Sequence, residues 1–543
     1  MKKLVNQVSG ANAIVKKDKL MELSQQQQDV LNWAERGNGS LNLIARAGCG
    51  KTTTLLELVE HLHGEVFLGA YNKAIATELQ QRLSAKGIPW KKAQAGTLHS
   101  AGFGAWRKVA PAVKVDGKKV YGIIDQMKLD DPARKDDLER FGNFINKAVS
   151  LAKQRAFGVL CAVEDRSHWF NLIEHFGLEE ELEGNGHGYN GHRSENPPDL
   201  EPVIDLCIAV FKKSIEMDRE MVDFDDMILA PLIHNIKIWP KDWVLIDEAQ
   251  DTNPARRALA MKMLKPKTGR LIAVGDPAQA IYGFTGADDD SMVQIQRQLN
   301  SSELPLNVTY RCPKQIVSLA QTWVTDITAA DAAPEGLVRS IRLNGENGQP
   351  GFWNESLKQE DVILCRNTKP LVELAYSLLR RGVACRVEGR EIGTGLIKLI
   401  RKWKVTRING LITALGSYQE RECQKWLAKG REEKAAAIED QVETIVVLAE
   451  KLQAEGKHEV EDLVNFINSL FGDTEPGVTA RVLTLSTVHK AKGREWERVF
   501  ILGRNKFMPS RWARKDWQAK QEYNLCYVAV TRAKAELVDI VVE

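Results

Sequence analysis

The stretch ARAGCGKTTTLLELV (45–59) decides how this 543-residue chain is read. It follows the apolar run LNLIA (41–45) and leads into an apolar-periodic segment, which predicts a strand, a tight loop and a helix in succession. Gly48 and Gly50, with Cys49 between them, let backbone N–H groups wrap phosphate oxygens, and the helix N-terminus adds its positive end. Lys51 is expected to reach the β and γ phosphates of a nucleotide, Thr52 to ligate Mg²⁺, and Thr53 to complete the loop. The strict form of this pattern has Gly at 45, where Ala45 stands. VLIDEAQD (244–251) supplies the other half of such a site, an apolar strand that ends in two carboxylates. Asp247 is the expected metal ligand, and Glu248 the base that orients and deprotonates an attacking water.

Outward from this loop, EVFLGA (65–70), DWVLIDE (242–248) and RLIAVGD (270–276) read as further buried parallel strands, each followed by a helical pattern. Between His99 and Asp223 the pattern is mainly helical, interrupted by EGNGHGYNGHRSENPP (183–198), a loop by its Gly, Asn and Pro content. Its His187 and His192 read as surface histidines rather than metal ligands. A second set of strands is expected at DVILC (361–365), VACRVEG (383–389), RVLTLST (481–487), RVFILG (498–503) and ELVDIVV (536–542), with helices at about 390–475. The fold class is therefore α/β, with two parallel-sheet domains each carrying a mainly helical insertion. The boundaries fall at 1–100 and 220–300 for the first domain, with 101–219 as its insertion. The second domain takes 301–389 and 476–543, with a short insertion at 390–475.

Composition narrows the partners. At about 150 residues per domain the length suggests three to four units, and 43% hydrophobic with 27% charged residues is ordinary for a globular chain. The net charge of +3 leaves any nucleic-acid footprint to local patches. Eight dispersed cysteines without a C-x-x-C pair argue against a zinc site or a disulfide framework and fit a reducing, cytoplasmic compartment. No stretch approaches the ~20 apolar residues of a membrane span, so no membrane partner is expected. KLIRKWKVTR (398–407), with Trp403, and RNKFMPSRWARKDWQAK (504–520), with Phe507, Trp512 and Trp517, read equally well as nucleic-acid contacts or as solvated helix faces over core aromatics.

With these motifs in hand, the order of blocks resembles the superfamily 1 DNA helicases of the UvrD/Rep/PcrA type. LSQQQQDVL (23–31) resembles their Q motif, which implies that Gln27 reads adenine. GAYNKAIATELQQRL (69–83) and AGTLHS (95–100) resemble two blocks that carry single-stranded DNA, which implies contacts from Asn72, Lys73, Thr97 and His99. DFDDM (223–227) resembles the block that returns the chain to the first motor domain. VGDPAQAIYGFTGA (274–287) implies Gln279 as γ-phosphate sensor, with Tyr282 and Phe284 facing the DNA. TYRC (309–312) implies Tyr310 near the base and Arg311 on the phosphates. LSTVHKAKGREWERVFILG (485–503) implies Thr487, His489, Lys492 and Gly493 near DNA and Glu495 at the ribose. NLCYVAVTRAKAEL (524–537) implies Arg532 as the arginine finger, with Asn524 where the family commonly has Arg.

The resemblance implies two RecA-like motor domains, ATP and Mg²⁺ as cofactors, and single-stranded DNA or a single-strand/duplex junction as partner. Lys492-Gly493 stands where 5′→3′ relatives carry Gln-Gly, and the Ile281-Tyr282-Gly283-Phe284 block is of the 3′→5′ kind. The expected function is an ATP-dependent 3′→5′ helicase or translocase. An ATP-gated single-stranded DNA-binding switch that recruits partners is the second reading, and an RNA motor is the third.

Overall fold

The computed structural model describes residues 23–178, 200–282, 290–345, 351–428, 432–472, 482–510, 513 and 516–543. The loop reading at 183–198, with His187 and His192, lies outside them, as do Phe284 and Trp512.

Two all-parallel sheets organise the chain. The first is built from β1 (Leu41–Ala45), β2 (Val66–Ala70), β3 (Ala93–Thr97), β4 (Trp243–Ile246), β5 (Arg270–Gly275) and β6 (Ser302–Leu306) in the spatial order β3-β2-β4-β5-β1-β6. The second holds β7 (Leu337–Arg342), β8 (Val362–Cys365), β9 (Cys385–Glu388), β10 (Phe471–Gly472), β11 (Leu483–Thr487), β12 (Trp496–Leu502) and β13 (Ala533–Val541), in the order β7-β13-β12-β8-β11-β9-β10. All nine strands expected from sequence are present, and they fill the interiors of the two sheets. The four that the sequence reading missed, β3, β6, β7 and β10, are the four edges. An edge strand is covered on fewer sides and needs no continuous apolar run; SELPL in β6 is mostly exposed and even tolerates Pro305.

The sequence boundary at 300 places residues 302–306 in the second domain, but β6 pairs with β1 from Leu41↔Ser302 to Ala45↔Leu306 and so completes the first sheet.

Each sheet is covered on both faces, as parallel sheets require. On one face of the first sheet, helices Gln25–Arg36, Lys51–His61 and Lys73–Ala85 bury residues such as Val30, Leu58 and Leu83. The other face packs against the helical run between β3 and β4, with Phe144, Trp169 and Phe211 in its core. That run is fastened by charges. Lys119 Nζ donates to Asp218 Oδ1 at 2.8 Å and Asp226 Oδ2 at 2.7 Å, while Lys153 Nζ meets Asp223 Oδ2 at 2.5 Å and Asp226 Oδ1 at 2.6 Å. Both lysine side chains are fully buried. In the second sheet one face packs on helices Thr368–Arg380, Arg390–Arg401, Ile408–Ala428, Glu432–Ala454 and Val460–Leu470. Its other face shares a core with Ala47 and Ile281 of the first sheet's loops, so the two RecA-like domains meet through apolar contact as well as through polar groups.

Candidate active site

Parallel strands present their carboxyl ends to one side, and β1, β4 and β5 place the decisive loops there. The loop after β1 turns through Gly48 and Gly50, both left-handed with φ of +73° and +80°. A Cβ at Gly48 would lie 2.4 Å from Arg311 Cβ, so only glycine lets the two backbones approach this closely. The Tyr310 N–H donates to the Gly48 carbonyl at 2.9 Å, which brings Tyr310 and Arg311 onto the phosphate loop. Cys49 is buried, and burial pushes its thiol up to about 12, leaving it protonated.

Lys51 Nζ donates to Glu248 Oε1 at 2.6 Å. Burial alone would raise the Glu248 carboxyl, but the Lys51 and Lys492 ammoniums outweigh it and hold the group at about 2. Asp247, by contrast, is pushed up to about 6 by burial and by the Glu248 charge. Glu248 itself holds a left-handed φ of +52°, a strained backbone for a residue with a side chain. One lysine thus serves two adjacent carboxylates. A hydroxyl-and-carboxylate donor set with this surplus of negative charge fits Mg²⁺, with Thr52 on the first turn of helix Lys51–His61 and Thr53 next to it.

Among the four consecutive glutamines, Gln27 is the one that faces the loop. Its Nε2 donates to Thr54 Oγ1 at 3.0 Å, its Oε1 accepts from the Ser24 N–H at 3.0 Å, and it lies 3.1 Å from where a Gly50 Cβ would stand. Gln279 is buried after β5, donating to Asp276 Oδ2 at 2.8 Å and accepting from Arg532 Nη2 at 3.4 Å. Arg532 is 1% exposed, and burial, followed by the neighbouring Arg311, lowers it to about 10. Its guanidinium also donates to the Val528 and Arg494 carbonyls, and among the described residues no carboxylate pairs with it. Arg311 Nε lies 2.5 Å from Glu495 Oε2, so the ribose and phosphate candidates of the second domain are themselves an ion pair. Tyr310 is 49% exposed at the rim.

The nucleic-acid candidates form a second group. Asn72 and Thr97 cap helices Lys73–Ala85 and Leu98–Val109, accepting from Ile75 N–H at 2.9 Å and Ser100 N–H at 3.1 Å, with Lys73 exposed on the first turn. His99 and Tyr282 line one cavity of about 410 Å³ with Tyr71, Arg256, Asp251 and Lys153. Burial, then Arg256, lowers His99 to about 4, and burial with Arg366 and Lys492 lowers His489 to about 3, so both rings are neutral at pH 7. The Tyr282 hydroxyl donates to the His489 carbonyl at 3.0 Å. Thr487 precedes the short helix Val488–Ala491 without a side-chain cap bond, and Gly493 is left-handed at +83°. Lys492 is bound within the protein, at 2.6 Å from both Asp251 Oδ2 and the Gln279 carbonyl.

Tyr71 and Arg256 were missed by sequence reasoning. Tyr71 is 42% exposed with the Arg256 guanidinium 5.8 Å from its ring centroid, and its place directly before Asn72 was the available signal. In the two basic stretches, Trp403 packs edge-on to Tyr418 at 5.7 Å over the second core, and Phe507 joins the same core, which favours the packing alternative for both. All eight cysteines are free, and among the described residues no His, Cys, Asp and Glu cluster has metal-site geometry and no helix is long and apolar enough to cross a membrane.

Fold and site together define a P-loop protein of two RecA-like domains, with a phosphate loop on one and a buried arginine offered from the other. The family model for the UvrD/REP helicase N-terminal domain matches residues 23–300 and that for the UvrD-like helicase C-terminal domain matches 395–543; the chain belongs to the UvrD/REP helicase family. It is 24% identical to an F-box DNA helicase 1 of Gallus gallus over 95% of this chain and 48% of that protein. It is 25% identical to a probable DNA helicase II homolog of Mycoplasma capricolum, over 66% of this chain and 48% of the relative. An ATP-dependent DNA helicase PcrA of Staphylococcus aureus is 22% identical over 59% of this chain and 58% of its own length. The chain spans about half the length of the curated relatives it matches.

Proposed function

We propose that the chain is an ATP-driven DNA motor that moves 3′→5′ along single-stranded DNA and opens duplex ahead of it. The observation that supports the ATP-driven part of this reading is Arg532, a fully buried cation on the second domain, linked through Gln279 to the first domain's nucleotide loops; the direction rests on the sequence blocks at 274–287 and 485–503. A buried charge of this kind is expensive unless it meets an anion, and in this reading that anion is the γ-phosphate.

In this reading Gly48, Cys49, Gly50 and Lys51 hold the phosphates, and Thr52 and Asp247 hold Mg²⁺, which neutralises phosphate charge when bound. Glu248 orients the attacking water and takes its proton, while Gln279, Arg311 and Arg532 respond to the γ-phosphate. Gln27, Thr53, Tyr310 and Glu495 complete the nucleotide pocket. Asn72, Lys73, Thr97, His99, Tyr282, Thr487, His489 and Lys492, with Phe284, form the DNA path, and Tyr71 joins them. The aromatic rings offer faces that any base can stack on, at ~1–3 kcal/mol each. For the domains, the division drawn from sequence is kept with one change, the first domain running through Leu306.

The test is ATP turnover with and without single-stranded DNA. Arg532→Ala should bind DNA as the unaltered chain does and lose turnover by ~10³-fold or more, the range of arginine fingers in related phosphoryl transfer. Turnover within threefold of the unaltered chain would overturn the assignment.

A further inference from the structure

Arg46, two residues before Gly48, has no part in the proposed reaction, yet its guanidinium bonds carboxylates on both domains. Its Nη1 donates to Asp276 Oδ1 at 2.9 Å. Its Nε and Nη2 fork onto Asp326 Oδ1 and Oδ2 at 2.9 and 2.8 Å. Asp276 directly follows β5 of the first sheet and is fully buried. Asp326 follows helix Lys314–Ala320, and its neighbours Val324 and Ile327 share a core with Val362, Leu364, Val499 and Ile501 of the second sheet. One planar side chain therefore ties the first domain to the second, using the bidentate geometry that distinguishes arginine from lysine. Burial works against the Arg46 charge, and Asp326 and Asp276 more than offset it, so the group is a permanent cation.

What Arg46 grips is the anchor of the γ-phosphate sensor. Asp276 Oδ2 accepts from Gln279 Nε2 at 2.8 Å and from the Tyr527 hydroxyl at 3.1 Å. The same hydroxyl accepts from the Ala47 N–H at 3.0 Å, closing a ring that runs through the phosphate loop, Asp276 and the second domain. Separation of the two domains would break the two bonds that Tyr527 makes in it. Arg46 sets its spacing from one side and Tyr527 from the other.

We propose that Arg46 is a positioning residue for ATP hydrolysis, a strut between Asp326 and Asp276 that holds Gln279 in register with the phosphate loop as the domains close. This rests on the ATPase reading given above. A salt bridge that merely adds stability would change the melting temperature and leave turnover alone. The strut changes turnover through its second-domain end, although Asp326 meets the phosphate loop through the Arg46 side chain and not at its glycines or Lys51.

The test uses the full chain and compares Arg46→Met, Asp326→Asn and the double variant in ATP turnover at saturating oligo-dT, together with thermal melting. Each single variant should lower kcat by about tenfold with KM for ATP within about twofold, and the double should be no slower than the slower single, since both cut one connection. Arg46→Lys should recover only part of the loss, because one ammonium cannot fork across two carboxylates. Unchanged kcat in Asp326→Asn, or losses that multiply in the double variant, would overturn the strut. If Arg46→Met fails to fold, Asp326→Asn decides alone, its side chain being 45% exposed. Absence of ATP turnover in the unaltered chain would remove the ATPase reading and the strut with it, whereas active protein with indifferent variants removes the strut only.

Discussion

Glu248 shows how a single side chain takes its role from its neighbours. Lys51 at 2.6 Å keeps it ionised despite burial, so it can only accept hydrogen bonds at neutral pH, and in the proposed reaction it gains basicity as Lys51 turns to the phosphates, while Asp247 beside it is left wanting a cation. Glu248→Gln should therefore retain ATP and Mg²⁺ binding and lose turnover by ~10²–10⁴-fold, as removal of a general base does. Equilibrium binding of a fluorescent ATP analogue alongside steady-state hydrolysis checks this, and near-normal hydrolysis would show that another group is the base. Lys492 carries a second expectation. Only 8% exposed, it bonds Asp251 and the Gln279 carbonyl, and burial already pushes Asp251 up to about 6. Lys492→Met leaves Asp251 buried without its cation, which should cost ~3–5 kcal/mol and uncouple hydrolysis from DNA binding. Unchanged melting with intact DNA stimulation would contradict that role. Most of these residues were legible because their motifs are short and local. Arg46 and Tyr527 were not, since their partners lie 230 to 480 residues away and nothing in the spacing announces them.

Elements told the same lesson through their surroundings. Interior strands such as WVLI in β4 are buried on every side and read as unbroken apolar runs. The edge strands AQAGT in β3 and LVRSIR in β7 are half exposed and carry polar residues, so no pattern marks them. DFDDM (223–227) was recognisable as a block, but not as the floor of a charge network. Two buried lysines there face Asp218, Asp223 and Asp226, with Asp225 accepting from the Ser150 hydroxyl at 2.5 Å. Burial raises Asp218 to about 7 and Asp225 to about 6, the second helped by the Asp223 charge. Carboxyl groups raised in the folded state give stability that is full below their unfolded value of about 4 and is lost as pH rises through 6 to 7. Asp218→Asn cannot lose a proton, so its melting temperature relative to the unaltered chain should rise between pH 5 and pH 8. A difference that stays flat or falls would contradict the raised value. Lys119→Met, which strands two carboxylates, should destabilise by ~3–5 kcal/mol at pH 8, measured by denaturant unfolding.

Taken whole, the molecule is two parallel sheets that meet over shared apolar residues, Ala47 and Ile281 among them, and over a set of polar ties. Arg46 to Asp326, Lys492 to Asp251, Arg532 to Gln279 and Asn524 to the Ala280 carbonyl all join the nucleotide loops of the first sheet to the second domain. In the proposed motor such ties couple the two domains through the nucleotide between them, and differential grip on a strand turns closure and opening into steps. The fold class, the nucleotide loops and the family were all readable in the sequence because they depend on local strand–loop–helix order. The ties were not, because they depend on how two sheets distant in sequence dock. The proposed direction of movement rests on the blocks at 274–287 and 485–503. The most direct measurement gives the protein two duplexes of identical sequence, one with only a 3′ single-stranded tail and one with only a 5′ tail, in ATP and Mg²⁺. The 3′-tailed duplex should open and the 5′-tailed one stay closed. Preferential opening of the 5′-tailed duplex, or no ATP-dependent opening of either, would contradict the proposed motor.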